Sequence, residues 1–313
     1  MVVSTRSGTL EYGNPVLLSA AGVAHATPTR EQRRLIIGHE PMGMPTVRDL
    51  KTKAGDEPIT MLTAYDAPTA AIIDEAGTDI ILVGDSLGNT SLGYETTLPV
   101  TVDDMARHTA AVARATDDAL VVADMPFLSI GVDEAASIEN AGRMLKEADA
   151  QAVKLECGPH TVELTEKLVQ VGIPVMAHLG LTPQHVNQYG GYPRQGTDQK
   201  AAERILELAK AHADAGAFSL VLEHVPANLA ADVTQALEIP TIGIGAGPDC
   251  DGQVLVVDDV VGLSEWAPSF SKQFGNVRAE MESAVDDYVS AVESGEFPAE
   301  EHSHEEADLE DLY

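Results

Sequence analysis

Acidic residues end four apolar segments of this chain. The sequence reads DIILVGDS at residues 79–86, LVVAD at 120–124, VKLE at 153–156 and FSLVLE at 218–223. Short aliphatic runs that end in a turn are typical of strands buried on both faces of a parallel sheet. Parallel α/β enzymes place their chemistry at the carboxyl ends of such strands. The four segments therefore predict one acidic site, built from Asp85, Asp124, Glu156 and Glu223.

Three of these acids, Asp85, Asp124 and Glu156, follow consecutive strand-like segments. Three carboxylates at one rim of a barrel would repel one another, and a hard divalent cation removes that cost. A few oxygen ligands that leave room for water and substrate suit magnesium. The alternative is that each acid caps the helix after its strand, as Asp often does. The recurrence on three consecutive strands favours the metal site.

Lys154 and Ser86 lie beside these acids in the sequence and can bind an anion. Lys154 alternates with Val153 and Leu155 inside an apolar strand, where a lysine is costly unless it is paired. It precedes Glu156 by two residues, so both side chains point to the same side of the strand. We predict that Lys154 contacts a substrate carboxylate; the alternative is a buried ion pair with one of the acids. Ser86 offers a hydroxyl and a backbone N–H to an anion, or is an ordinary turn serine.

Glu223 and His178 are the candidates for moving protons. Glu223 ends the sixth strand-like segment, across the mouth from the three acids of the metal site. Set apart from a metal, it can act as a general acid or base. His178 begins the motif HLGLTPQ at the end of the fifth strand. A single histidine is more often a hydrogen-bonding residue than a catalyst, so we expect His178 to have a supporting role.

Strand-like and helix-like segments alternate from residue 47 onward. We predict strands at residues 59–63, 80–83, 120–124, 153–156, 174–178, 218–223, 240–244 and 254–257. Eight such repeats favour the (β/α)8 (TIM) barrel of the α/β class over a doubly wound sheet. A short helix at 47–53 precedes the first strand. A final helix at 276–294 places Met281, Val285, Tyr288 and Val289 on one apolar stripe.

The chain is strongly acidic, with 19 basic and 50 acidic residues and a net charge of −31. This charge argues against binding to nucleic acid or an anionic membrane. It also destabilises a compact chain unless salt screens the repulsion, so we expect a salt-adapted protein of the cytoplasm. The alternative, an acidic tail that inflates the count, accounts for only 9 acids from Glu293 onward. Two cysteines, Cys157 and Cys250, do not make a disulfide framework.

Composition divides the chain into three parts. Residues 1–43 carry four Arg and three Glu, a net charge of +1, against −32 for residues 44–313. We expect an extension at 1–43, disordered or upstream of a working start at Met44, a catalytic barrel at 44–297 and an acidic tail at 298–313. A signal peptide is the alternative for VLLSAAGVAHA at 16–26. Glu11 and a single preceding arginine, Arg6, do not form its cationic region.

Seven motifs together resemble the 3-methyl-2-oxobutanoate hydroxymethyltransferase (ketopantoate hydroxymethyltransferase) family. They are MLTAYD at 61–66, LVGDSLG at 82–88, TLPVT at 97–101, DMPF at 124–127, KLE at 154–156, HLGLTPQ at 178–184 and IGIGAG at 242–247. The resemblance runs from about residue 45 to residue 304. It implies a magnesium-dependent (β/α)8 barrel that assembles as a homodecamer. The family takes its one-carbon unit from 5,10-methylenetetrahydrofolate and makes 2-dehydropantoate for pantothenate synthesis.

The resemblance also implies roles for single residues. By motif match, the metal ligands fall on Asp85, Asp124 and Glu156, the keto-acid contacts on Asp85, Ser86, Asp124 and Lys154, and the catalytic acid or base on Glu223. Two features depart from the family pattern: Cys157 stands where glycine is usual, and residues 193–198 are altered beside the substrate loop. A pterin analogue of folate is the alternative one-carbon donor.

Two other functions are compatible with parts of this pattern. A carbon–carbon lyase or phosphonomutase of a related barrel superfamily would share magnesium and acidic strand ends, and would act on another 2-oxo acid. A barrel retained as a binding or assembly module would have lost a metal ligand, yet Asp85, Asp124 and Glu156 are all present. We therefore predict the hydroxymethyltransferase.

Overall fold

The computed structural model describes residues 45–55 and 57–304. Eight parallel strands, paired in sequence order, form a closed barrel in which β8 also pairs with β1. The strands are β1 Ile59–Thr63, β2 Ile80–Val83, β3 Leu120–Asp124, β4 Ala152–Glu156, β5 Val175–Gly180, β6 Ser219–Glu223, β7 Thr241–Ile244 and β8 Gly252–Leu255. The predicted (β/α)8 barrel is confirmed. The expected extension at 1–43, its boundary at Met44 and residues 305–313 of the tail lie outside the described residues.

Helices precede, connect and follow the strands. They are α1 Val47–Lys53, α2 Ala67–Glu75, α3 Leu87–Thr90, α4 Val102–Ala113, α5 Glu134–Lys146, α6 Val162–Gln170, α7 Val186–Tyr189, α8 Gln199–Asp214, α9 Ala227–Ala236, α10 Val257–Val261 and α11 Val277–Ser294. Among the residues that the structure describes, no helix has the length and apolar character needed to cross a bilayer.

Two apolar layers lie on opposite faces of the strands. One face, with Ile81 and Val83 of β2 and Val121 and Ala123 of β3, packs against the surrounding helices. The other face belongs to a second cluster, built almost wholly from strand residues such as Ile80, Leu82 and Val122, which fills the barrel. Because side chains alternate along a strand, each inward-facing row continues to the carboxyl-terminal mouth two residues further on.

Helix α1 closes the opposite end of the barrel. Thr46 and Asp49 form a capping box that starts the helix. Leu50 is 2 % exposed and belongs to the interior cluster. Lys53 pairs with Asp79, immediately before β2, at 2.6 Å. The short helix predicted at this position is therefore the plug of the amino-terminal end.

The predicted bounds of the eighth strand, 254–257, are wrong by two residues. The strand is Gly252–Leu255, and Val257 begins α10. Gly252 pairs with both Ile59 and Ile242, and a Cβ at this position would lie 2.4 Å from the carbonyl oxygen of Ile59. Glycine is therefore required where two strands approach closely. The apolar run in the sequence simply continues from the strand into the helix.

Helix α11 carries the predicted apolar stripe, but the stripe is not covered. The helix has no buried residue, and Met281, Val285, Tyr288 and Val289 are 44–59 % exposed. Arg278, near its start, holds the helix to the preceding segment through Glu265 and the carbonyl oxygen of Leu263. None of the residues that the structure describes therefore buries the apolar face of this helix.

Candidate active site

The inward-facing rows of the barrel end in polar side chains at the mouth. Asp124 follows Val122 by two residues on β3, and Lys154 and Glu156 continue the row of Ala152 on β4. By the same alternation, His178 follows Met176 on β5, and Glu223 follows Val221 on β6. The register pairs Asp124 with Lys154 and Glu156 with His178 on neighbouring strands. The barrel itself therefore brings these residues together.

Asp85 and Ser86 reach the mouth from the turn after β2. Asp85 is buried, and Ser86 begins the one-turn helix α3. A Cβ at Gly84 would lie 2.7 Å from the Ser86 Oγ, so the residue before Asp85 must be small. The Ser86 hydroxyl is 2.8 Å from the hydroxyl of Tyr65, which lies two residues after β1. Tyr65, which the sequence did not single out, thus orients the predicted anion-binding serine.

Lys154 forms a buried ion pair with Asp124. Its Nζ lies 2.6 Å from Asp124 Oδ2, and both side chains are almost completely buried. Burial alone would lower the pKa of Lys154, but the charges of Asp124, Asp85 and Glu156 raise it above its ordinary value. The lysine is therefore a permanent cation. The ion pair is the alternative that the sequence left open, and contact with a substrate carboxylate stays a prediction.

The other two acids of the rim, Asp85 and Glu156, have raised pKa values. Burial is the main cause that raises the pKa of Asp85 well above its ordinary value, and the charges of Asp124 and Glu156 add to it. Burial also raises the pKa of Glu156 to about 7, against the opposing effect of His178 and Lys154. Perturbed carboxylates that share one cleft are typical of a functional site.

Gln184 connects these acids, and the sequence gave no signal for its role beyond its place in HLGLTPQ. Its side-chain Nε2 donates to Asp85 Oδ2 at 2.8 Å and to the carbonyl oxygen of Met125 at 2.9 Å. Its backbone N–H donates to Glu156 Oε1 at 3.1 Å and Oε2 at 3.2 Å. Burial, with the charges of Asp85 and Glu223, raises the pKa of Tyr192, which follows α7.

Glu223 and His178 form a second group beside the acids. His178 Nε2 lies 3.1 Å from Glu223 Oε2, but the direction is not that of a hydrogen bond. We therefore treat the pair as a close polar contact. His178 is 1 % exposed, and neither ring nitrogen has a hydrogen-bond partner among the described residues. The Glu223 side chain is 17 % exposed, more than that of Asp124 or Glu156, so it is the more accessible carboxylate.

The rim fits magnesium by the chemistry of its donors. Lys154 donates to Asp124 Oδ2. The other oxygen, Asp124 Oδ1, is buried and has no hydrogen-bond partner in the described part of the chain. Within residues 45–55 and 57–304, however, no three His, Cys, Asp or Glu side chains already surround a common point. Lys154 and Gln184 hold the carboxylates separately. Asp85, Asp124 and Glu156 therefore offer the oxygen donors that Mg²⁺ prefers, without a closed cage.

Comparison with known proteins assigns the chain to a family. The family description "Ketopantoate hydroxymethyltransferase" matches residues 44–300. A 3-methyl-2-oxobutanoate hydroxymethyltransferase of Natronomonas pharaonis is 73 % identical over 266 residues, covering 85 % of this chain and 99 % of the relative. The Halobacterium salinarum protein of the same name is 70 % identical over 275 residues, covering 86 % of this chain and 100 % of the relative. The chain belongs to the ketopantoate hydroxymethyltransferase family.

A solved structure supports the fold from a greater distance. Phosphonopyruvate hydrolase superposes with a TM-score of 0.55 at 10 % identity, over 85 % of this chain and 93 % of that one. At this identity the likeness shows a shared barrel only. The ketopantoate hydroxymethyltransferase match confirms the predicted family and the predicted class of enzyme, a hydroxymethyltransferase, rather than the lyase or phosphonomutase.

All of the predicted site residues lie at one mouth of the ketopantoate hydroxymethyltransferase barrel. Lys154 pairs with Asp124, and Gln184 bonds to both Asp85 and Glu156. His178 is opposite Glu156 in the register and contacts Glu223, and Ser86 follows Asp85 in the chain. Their roles as metal ligands, substrate contacts and acid or base stay predictions. Cys157, the predicted departure from the family, is buried behind Glu156, where burial raises the pKa of its thiol to about 12. It is an inert packing residue in this position.

Proposed function

We propose that this protein transfers a hydroxymethyl group from 5,10-methylenetetrahydrofolate, or a pterin analogue of it, to 3-methyl-2-oxobutanoate, with Mg²⁺ at the acidic rim. In the overall reaction the keto acid, the methylene donor and water give 2-dehydropantoate and the tetrahydro form of the donor. The observation that carries the proposal is the buried group of Asp85, Asp124, Glu156 and Lys154 in a chain of this family.

Different residues of the rim bind the cation and the keto acid. Asp85, Asp124 and Glu156 would hold the cation through their oxygens. A bound Mg²⁺ acts as a Lewis acid that polarises the 2-oxo group and makes the neighbouring C3–H acidic. Lys154, a buried cation, and the Ser86 hydroxyl bind the carboxylate of the keto acid. The keto acid is thereby oriented with C3 toward the donor.

Glu223 moves a proton, either at C3 of the keto acid or at the nitrogen of the donor. Its carboxylate lies on a separate strand from Asp124 and Glu156 and is the more exposed of the three. His178, in contact with Glu223 at 3.1 Å, supports it by limiting its orientation. A carboxylate apart from the cation can exchange a proton with the substrate without giving up a metal ligand.

Two substitutions separate binding from proton transfer. Asp124→Asn should weaken Mg²⁺ and keto-acid binding together, because the keto acid and the carboxylate share the cation. Glu223→Gln should leave both affinities nearly unchanged while turnover falls by about 10²–10⁴-fold. Calorimetric titration of Mg²⁺ with the keto acid present, followed by steady-state rates, measures both effects.

The same assay tests the reaction itself. Wild-type protein should turn over 3-methyl-2-oxobutanoate with Mg²⁺ and a methylene donor, and should leave oxaloacetate and phosphonopyruvate unchanged. Turnover of either of the latter acids in place of the first would favour the lyase or phosphonomutase. Comparing tetrahydrofolate with a tetrahydropterin analogue as the carrier identifies the donor.

We also propose that the chain self-associates, with the homodecamer as the expected assembly, and acts in a salt-rich cytoplasm. The uncovered apolar stripe of α11 supports self-association, since a soluble monomer rarely exposes such a surface. Light scattering after size exclusion in molar KCl should report ten chains. A monomer at micromolar concentration would contradict the assembly.

A further inference from the structure

Gln184 forms hydrogen bonds at the ends of three strands of the barrel. It lies in the 3₁₀ turn Pro183–His185 after β5, within the loop that leads to α7. Its bonds reach Asp85 after β2, the carbonyl oxygen of Met125 after β3, and Glu156 at the end of β4. One residue from the loop after the fifth strand therefore ties together the ends of the three strands that carry the acids.

The orientation of its side-chain amide follows from its partners. Asp85 Oδ2 and the Met125 carbonyl oxygen are both acceptors, at 2.8 Å and 2.9 Å from Nε2. A side-chain amide has two N–H donors on its nitrogen and none on its oxygen. Reversing the amide would place its oxygen against two other oxygens. Both N–H groups of Gln184 are thus committed, and the side chain is held at two points.

One oxygen of Asp85 and one oxygen of Asp124 are held by hydrogen bonds. Asp85 Oδ2 accepts from Gln184. Asp124 Oδ2 accepts from Lys154, and Asp124 Oδ1 is buried without a partner among the described residues. Carboxylates that ligate a metal through one oxygen are commonly held by a hydrogen bond to the other.

We propose that Gln184 is a positioning residue for the metal and keto-acid site, which fixes Asp85 through its side chain and Glu156 through its backbone. This inference rests on the proposed function. Gln184 holds Asp85 through a neutral hydrogen bond, as Lys154 holds Asp124 through a charged one. Three carboxylates and one ammonium carry a net charge of −2 when ionised, which one divalent cation balances. A second lysine in place of Gln184 would halve that charge and repel the cation.

Gln184→Met tests the side-chain contact, because it keeps the length of the residue and removes both donors. The backbone N–H to Glu156 is retained. Loss of such an outer hydrogen bond typically weakens metal binding by about 10–100-fold. We expect that loss in the Mg²⁺ dissociation constant measured by calorimetry with the keto acid present, and a matching rise in the KM for the keto acid. The thermal midpoint of the Mg²⁺-free protein should change little.

Gln195→Met is the matched control. Gln195 lies between α7 and α8, and its side-chain Nε2 donates to the carbonyl oxygen of Pro193 instead of to the rim. The Gln195→Met variant should bind Mg²⁺ as the wild type does. If Gln184→Met does not fold, Gln184→Asn is the second variant. It keeps the amide on a side chain one methylene shorter and should also weaken Mg²⁺ binding.

Three results are distinguishable. Unchanged Mg²⁺ affinity in a folded Gln184 variant, or equal loss in Gln195→Met, would overturn the positioning role. A lower thermal midpoint with unchanged Mg²⁺ affinity would assign Gln184 a purely structural role and also overturn it. Failure of the wild type to bind Mg²⁺ with the keto acid or to turn it over would instead refute the proposed function.

Discussion

Substitution of Lys154 by methionine is the sharpest test of the electrostatics of the rim. Lys154 Nζ lies 2.6 Å from Asp124 Oδ2 in a buried pair. At an effective dielectric constant of about 20, the attraction across that distance is about 6 kcal/mol. Methionine also removes the cost of burying the ammonium group. The net loss for a buried pair broken on one side is therefore about 3–5 kcal/mol.

Thermal unfolding of the Mg²⁺-free protein at fixed KCl measures this loss. For a domain of this size, about 1 kcal/mol corresponds to a shift of roughly 2–4 °C, so the midpoint should fall by roughly 6–20 °C. Lys53→Met is the matched control. Lys53 Nζ is also 2.6 Å from its partner, Asp79 Oδ1, but the two side chains are 27 % and 19 % exposed. The control should lose less, about 1 kcal/mol.

Ligand binding by Lys154→Met should change in two opposite directions. Mg²⁺ should bind more tightly than to the wild type, because a buried positive charge beside its ligands is gone. The keto acid should bind more weakly, because its carboxylate has lost a cationic partner. Calorimetry with each ligand separates the effects. A loss of stability no larger than that of Lys53→Met, or weaker Mg²⁺ binding, would refute this description of the rim.

Three other outcomes are expected. Leu50→Ala should lower the free energy of unfolding in urea by about 2–5 kcal/mol, because it leaves a cavity where α1 packs on the barrel interior. Ile72→Ala, at a 69 % exposed site, should change this free energy by less than about 0.5 kcal/mol. Equal losses in the two variants would contradict the role of Leu50 in closing the barrel. Burial, with a contribution from His160, lowers the pKa of His212 below 6.5, so its contribution to stability is present above that pH and is lost as the pH falls. Below pH 6.5 the unfolding free energy of His212→Gln should therefore depend less steeply on pH than that of the wild type, by up to about 1.4 kcal/mol per pH unit. Parallel curves for the two proteins would contradict this role of His212. With a net charge of −31, the thermal midpoint should rise from low to molar KCl, and a flat curve would count against salt adaptation.

Local sequence signals were sufficient for the elements of the barrel. Thr101 and Asp104, three residues apart in the sequence, form the capping box that starts α4. Aliphatic runs with acidic ends became β2 to β4 and β6, with their acids at the mouth. These signals act within a few residues, and closure of a parallel barrel then leaves only one place for the carboxyl ends to meet.

The limits of such signals appear at β8 and α11. The apolar run at 254–257 does not record that Gly252 is the residue that pairs with β1 and β7. The stripe on α11 predicts an apolar face correctly but not what lies against it, since a period says nothing about the neighbouring surface. Both features depend on distant parts of the molecule.

The sequence alone picked out the residues that the barrel brings to its mouth: the strand-end acids, one lysine inside an apolar strand and a serine in the turn after β2 all followed from residue type and position. The tertiary structure decided how they are connected. Lys154 pairs with Asp124 across 30 residues, and Gln184 reaches Asp85 across 99. Such pairs are set by strand register and by the path of a loop over the mouth. A neutral glutamine among polar loop residues becomes a part of the rim only when the closed barrel brings Asp85 and Glu156 within reach of it.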